Sequence, residues 1–219
     1  MSKIKAVVFD LDGTLLNTVE FVVRSFEHSL KRHNQALDRD QIFSLVGPPL
    51  KNIYEGLVPE EHVERAVEAH RKIQSTAEFQ ELLKEYYGLR ELLDELKGLG
   101  LRLMIFTNRW RGGVEMIFKR LDIRDYFEII MTPDEIKNGK PDPEGLEMIS
   151  KLTGLTKESL IMVGDMEVDI LAGKNAGVAA TVGITHGFRD KSSLEKAGAD
   201  YIIDSLEELV PVIEMINKS

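Results

Sequence analysis

Six short apolar runs punctuate the chain, at Lys5–Asp10, Leu101–Thr107, Glu128–Met131, Leu160–Gly164, Ala179–Gly183 and Tyr201–Asp204. Each is of strand length, and all but Glu128–Met131 end on Gly, Asp or Thr, so each predicts a β-strand. Between most of them apolar residues recur at helical spacing. Leu89, Leu92, Leu93 and Leu96 share one face, as do Val114, Ile117, Phe118 and Leu121, and Val168, Leu171 and Ala172. Leu206, Leu209, Val210 and Ile213 repeat the pattern in a last helix. Ser205 with Glu208 gives that helix a capping box, and Pro211 is expected to kink it or interrupt its hydrogen-bond ladder. Alternating strands and helices predict a mostly parallel sheet covered on both faces, a three-layer α/β core.

The alternation breaks between about Thr18 and Glu81. Val19, Val22, Val23, Phe26 and Leu30 form one helical stripe and Val63, Ala66, Val67 and His70 another, with shorter helical pieces at Ile42–Val46 and Leu50–Leu57. No strand pattern interrupts them. The reading is an α/β core from residues 1–16 and 82–219, with an all-helical domain, 17–81, inserted after the first strand and lying over its end. Linkers are expected near Leu16–Val19 and Gln80–Gly88.

The 219 residues are 43% apolar, enough for one large core with a modest accessory unit. No apolar stretch approaches bilayer length, and no leader with a small-residue cleavage site is expected at the N-terminus. With no cysteine, catalysis must rest on carboxylates, hydroxyls, Lys, Arg or His, and a cytoplasmic location is expected. A net charge of −9 argues against nucleic-acid or anionic-membrane partners.

Ligands of open α/β sheets bind beyond the carboxyl ends of the strands, and here those ends are polar. The first closes on Asp10-Leu11-Asp12-Gly13-Thr14, with Leu11 expected to turn into the core. The second closes on Thr107-Asn108 and the fourth on Gly164-Asp165, with Asp169 in the next helical turn. Carboxylates at Asp10, Asp165 and Asp169 facing one gap repel one another unless a divalent cation joins them, and Mg²⁺ suits all-oxygen ligands. Lys140, in Gly139-Lys140-Pro141-Asp142-Pro143, is held on a stiff loop where its ammonium could neutralise a phosphoryl oxygen and a carboxylate together. Asp142 is expected to cap a helix starting at Pro143. Arg109-Trp110-Arg111 is read either as an anion-binding rim or as an exposed loop, and Met166 as packing against the sheet.

The order Asp10-x-Asp12-Gly13-Thr14, Thr107, Lys140-Pro141 and Gly164-Asp165 with Asp169 resembles the haloacid dehalogenase superfamily of phosphotransferases over nearly the whole chain. The helical insert looks like its C1 type of cap. The resemblance implies a Rossmann-like core, Mg²⁺ dependence and an aspartyl-phosphate intermediate. It further implies Asp10 as nucleophile and Asp12 as general acid and base. Thr107, the Asn108 backbone and Lys140 would hold phosphate, and Asp10, the Asp12 carbonyl, Asp165 and Asp169 the metal. An acid at position 12 points to phosphoryl transfer rather than dehalogenation. Asn17, where many relatives carry an acid, and Met166, where they carry a small residue, depart from the pattern without removing a required group.

The Leu45–Leu50 turn, with Gly47-Pro48-Pro49, is similar to the specificity loop of phosphoglycolate phosphatases and related pyrophosphatases. Leu50 stands where β-phosphoglucomutases carry an arginine, and Lys51 is read as a surface lysine. The expected substrate is a small phosphorylated metabolite, phosphoglycolate-like first, then pyrophosphate, sugar phosphates and nucleoside monophosphates. A monomer or homodimer is expected.

Overall fold

The computed structural model describes residues 3–31 and 36–218, and it is built around one sheet. Strand β1 (Ala6–Phe9) is followed by β2 (Leu16–Asn17), then α1 (Val19–Lys31), α2 (Arg39–Leu45), α3 (Leu50–Glu55), α4 (Val63–Gln74), α5 (Ala77–Gln80) and β3 (Lys84–Glu85). The chain then alternates through α6 (Leu89–Gly98), β4 (Arg102–Phe106), α7 (Arg111–Leu121), β5 (Ile129–Met131), α8 (Glu144–Thr153), β6 (Leu160–Gly164), α9 (Glu167–Ala176) and β7 (Ala180–Ile184). It ends with α10 (Lys191–Ala197), β8 (Tyr201–Ile203) and α11 (Leu209–Lys218).

The main sheet runs β5-β4-β1-β6-β7-β8 with every neighbouring pair parallel. Side chains alternate across it. Val7 and Phe9 join the core beneath α6, α7 and α11, whereas Ala6 and Val8 join the core beneath α8 and α9. Both faces of β1 are buried, which is why its sequence is continuously apolar. The first core continues without a break into the helical insertion through Phe21, Val23, Phe26 and Ile53.

Both expected linkers are ordered by pairing with each other. Leu16 and Asn17 lie antiparallel to Glu85 and Lys84, a two-residue ribbon at the base of the insertion that neither segment's pattern could signal alone.

Three helical expectations need correction. Pro211 does not kink the last helix, because Leu206–Glu208 form a separate 3₁₀ turn. This leaves Pro211 in the first turn of α11, where a missing N–H breaks no helical bond. In α9 the buried face is Ile170, Ala172, Gly173 and Ala176, and Leu171 is turned to solvent. Small residues face the sheet there because the approach is close: a Cβ on Gly173 would lie 2.4 Å from Thr181 Cγ2. Helix α8 begins one residue later than expected, at Glu144, whose backbone N–H donates to Asp142 Oδ1 at 2.9 Å.

Candidate functional site

Strand β1 is the switch point of the sheet, with β4 paired on one side and β6 on the other. The register sets Phe9 level with Ile105 and Val163, so the residues following these strands share one rim, where adjacent strands stand about 4.8 Å apart. The Asp10 backbone N–H donates to the Val163 carbonyl and the Thr107 N–H to the Met131 carbonyl, which carries the ladder one step into the site.

Asp10, Asp165 and Asp169 are all buried, and one carboxylate oxygen from each lies within 4.8 Å of the others. Lys140, itself 2% exposed, places Nζ 2.7 Å from Asp10 Oδ1 and 2.6 Å from Asp169 Oδ1. Burial works against a charged ammonium, but the two carboxylates outweigh it and raise the Lys140 pKa. Burial, reinforced by Asp169 and opposed by Lys140, pushes the Asp10 carboxyl up to about 7. Burial together with Asp169 and Asp10 raises Asp165 well above the usual carboxylate range. One ammonium is too little positive charge for three buried acids. An oxygen-seeking divalent cation fits this donor set, and among the described residues no other such cluster occurs.

The backbone is shaped around these acids. Gly13 has φ +80°, and a Cβ on it would lie 2.4 Å from Asp165 Oδ2. Asp165 is oriented by the Thr14 hydroxyl, which donates to Oδ1 at 2.7 Å, and by the Phe188 N–H, which donates to Oδ2 at 2.8 Å. Asp169 sits in the first turn of α9, where Oδ2 accepts from the Met166 N–H at 3.0 Å. Its other oxygen faces Lys140, so Asp169 positions that lysine as well as facing the gap.

The Lys140 loop is fixed from both ends. Asn108 Oδ1 accepts from the Lys140 N–H at 2.9 Å and its Nδ2 donates to the Lys140 carbonyl at 3.0 Å. The same Nδ2 donates to the Gly47 carbonyl at 2.7 Å, which ties the turn between α2 and α3 to the rim. Arg189 adds a second tie, donating from Nη1 to the Phe43 carbonyl at 2.7 Å and from Nη2 to the Val46 carbonyl at 3.1 Å. The Gly47-Pro48 turn thereby roofs a cavity of about 100 Å³ whose floor includes Asp10, Asp12, Thr107 and Lys140. Met166 does not pack on the sheet alone: it lines this cavity, and its Cε would be 3.2 Å from a Cβ on Gly47. Lys51 is a surface residue, paired to Glu64 at 2.9 Å.

Asp12 stands apart from the other acids. Its carboxylate is gripped in a fork by Arg109, Nε to Oδ2 and Nη2 to Oδ1 both at 2.7 Å. Burial would raise the Asp12 carboxyl, but the guanidinium charge and its hydrogen bonds hold it below the usual range. Arg109 is not a loop residue in solvent, its side chain being 6% exposed. Trp110 packs beneath the Arg71 guanidinium, 4.7 Å from the ring centroid, and Arg111 donates to the Ile130 carbonyl and to Glu135. An arginine directly following Thr107-Asn108 was the available signal for a site residue, but its partner is 97 positions away.

From Arg109 a chain of hydrogen bonds enters the helical insertion. Nη1 donates to Gln74 Oε1 at 3.1 Å, and the Gln74 amide group lies 3.0 Å from His70 Nε2. With Nε2 accepting, His70 carries its proton on Nδ1, 3.0 Å from the Tyr54 hydroxyl, which in turn bonds Ser29. Burial, with the charges of Arg109 and Arg71, pushes the His70 pKa down to about 3. A depressed histidine pKa stabilises the fold fully above its ordinary value near 6.5 and loses that contribution as pH falls toward 3. The excess of the wild-type urea-unfolding free energy over that of H70N is expected to decline as pH falls across that window. A difference that does not change with pH would show that His70 is not held neutral.

The sequence profile described as haloacid dehalogenase-like hydrolase matches residues 7–182. Pyrophosphatase PpaX of Bacillus cereus is 33% identical over 219 residues, covering 99% of this chain and 100% of that protein. Among solved structures, a predicted phosphatase from Clostridium acetobutylicum superposes with a TM-score of 0.86 at 27% identity, over 98% of this chain and 100% of that one. A hydrolase from Pseudomonas syringae gives 0.88 at 26% identity, over 97% and 99%.

Proposed function

Because the chain belongs to the haloacid dehalogenase-like hydrolase family, we propose that it is a Mg²⁺-dependent phosphatase hydrolysing a small phosphomonoester through an aspartyl-phosphate intermediate. The observation that carries this reading is the packing of Asp10, Lys140, Asp165 and Asp169 at adjoining strand ends, with Asp12 two residues beyond Asp10. A domain division at 1–16 with 82–219 and 17–81 belongs to the same reading.

Asp10 attacks phosphorus as the bond to the leaving oxygen breaks, and Asp12, once it has turned away from Arg109 and taken up a proton from solvent, gives that proton to the leaving oxygen. Asp12 then takes a proton from the water that cleaves the aspartyl phosphate. Lys140 Nζ donates to Asp169 Oδ1 at 2.6 Å and is paired by charge with Asp10 Oδ1 at 2.7 Å, and a further N–H of the ammonium would serve a phosphoryl oxygen. Thr107 Oγ1 accepts from the Arg109 N–H at 3.1 Å, which leaves its own O–H to donate to the same group, beside the Asn108 backbone. Asp10, the Asp12 carbonyl and Asp165 would hold Mg²⁺, with Asp169 a ligand directly or through water. Bound there, the ion would neutralise charge on the transferring phosphoryl group.

Asp165→Ala is expected to raise the half-saturating Mg²⁺ concentration about tenfold or more, because it removes a charged ligand. Unchanged metal dependence would refute this ligand set.

The roofed cavity of about 100 Å³ supports a small substrate, a phosphoglycolate-like acid above all. Pyrophosphate is the second reading, favoured by the relatives of that name at 33% identity. Leu50 in place of a cap arginine weighs against a mutase. The net charge of −9 supports action on a metabolite rather than on nucleic acid or membrane, and the cysteine-free sequence supports a cytoplasmic location. The test is p-nitrophenyl phosphate hydrolysis with and without Mg²⁺, followed by kcat/KM for phosphoglycolate, pyrophosphate, sugar phosphates and nucleoside monophosphates. Turnover that a chelator stops is expected, and none with any phosphate ester would overturn the reading.

A further inference from the structure

Resting on the phosphatase reading, we infer that Arg109 is a specificity-determining residue that receives a compact oxyanion carried by the leaving group of the substrate. The cavity walls around Asp12 are largely apolar, formed by Val22, Phe26 and Ile53 from the insertion. Lys140 and Arg109 are the cationic side chains among the described lining residues, and Lys140 is taken up by Asp10, Asp169 and the phosphoryl group itself. One positive group therefore remains for the part of the substrate beyond phosphorus.

Its geometry suits that task. The guanidinium offers two parallel donors to a planar carboxylate, as its 2.7 Å contacts to both Asp12 oxygens demonstrate. Asp12 belongs at the leaving oxygen during bond cleavage, so the fork lies on the leaving-group side. When Asp12 turns to that oxygen, Arg109 cannot follow. Its Nη1 is fastened to Gln74, which His70, Tyr54 and Ser29 brace inside the insertion, and the ring of Phe21 lies 5.3 Å from its Cζ. A buried fork deprived of its carboxylate is costly unless another oxyanion replaces it. A carboxylate or second phosphoryl one or two atoms from the ester oxygen would do so, whereas a neutral alkyl or polyol leaving group would leave the charge unmatched.

The experiment compares substrate pairs that differ in this group: phosphoglycolate against ethyl phosphate, and pyrophosphate against methyl phosphate. The wild type is expected to prefer the acidic member of at least one pair, and the pair showing it separates carboxylate from phosphoryl. Arg109→Gln should cut that preference about thirtyfold or more in kcat/KM, the scale set by removing one partner of a buried charge pair. A structural role would lower both members equally, and that result, or no preference in the wild type, would overturn the inference. Arg109→Lys keeps the charge without the fork and should lose part of the preference. Should the Gln variant not fold, equal losses on both members in R109K would overturn the inference. Calorimetric binding of the same pairs to D10N protein makes the comparison without turnover. A wild type that hydrolyses neither these four nor any other phosphate ester, p-nitrophenyl phosphate included, would defeat the phosphatase reading, while the binding preference would still decide the role of Arg109.

Discussion

Asparagine at position 10 is expected to abolish turnover, lowering kcat by at least about 10⁴-fold, because an amide of the same shape cannot form the aspartyl phosphate. The loss should come without loss of fold. In the metal-free protein burial and Asp169 push Asp10 up to about 7 against the pull of Lys140. A raised carboxyl pKa means that the folded state holds a proton the unfolded chain has released. Its contribution to stability is complete below about pH 4 and is lost as pH rises toward 7. D10N removes this titration. Its metal-free unfolding free energy, taken relative to that of the wild type, should therefore rise between pH 4 and 7, with stability at pH 7 equal to or above that of the wild type. Phosphate release and urea unfolding measure the two effects separately. Activity within tenfold of the wild type would exclude Asp10 as the nucleophile.

Lys140→Ala is expected to have the second largest effect, on activity and stability together. The ammonium lies within 2.7 Å of two buried carboxylates, and its removal leaves them adjacent and unpaired. Breaking a buried pair in this way costs about 3–5 kcal/mol. At pH 7 the variant should be destabilised on that scale. The deficit should shrink as pH falls, since protonation relieves the repulsion, and added Mg²⁺ should recover part of it by supplying positive charge to the same acids. Hydrolysis should fall about 10³-fold even at saturating metal, as expected for loss of a preorganised cation beside the phosphoryl group. A variant as stable and active as the wild type would place the function of Lys140 elsewhere.

Much of the core was legible because local pattern determines it. The run Ala6–Phe9 is buried on both faces as its unbroken apolar sequence requires, and Asp10, Thr107 and Asp165 share a rim because parallel strands end together there. The helical insertion was legible for a similar reason, its stripes at Val22, Val23 and Phe26 being covered as their spacing demands. What was hidden depends on distant partners. Nothing near Asp12 announces Arg109, and nothing near Arg109 announces Gln74 of α4, yet the three form one hydrogen-bonded unit. The exposure of Leu171 followed from close packing by Gly173, a demand of the sheet that apolar periodicity does not record. Pro211 was harmless because a 3₁₀ turn moved the helix start, a shift of a few residues with a reversed consequence.

The central claim is that phosphorus is transferred to Asp10. The direct measurement is to quench the wild-type protein during turnover with acid, reduce it with borohydride and sequence its peptides by mass spectrometry. An acyl phosphate is reduced to the alcohol, so a phosphorylated aspartate is read as homoserine. Homoserine at position 10, dependent on substrate and Mg²⁺, and absent from positions 12, 165 and 169, is the expected result. Turnover with no homoserine at position 10, or homoserine at another of these aspartates, would contradict the account.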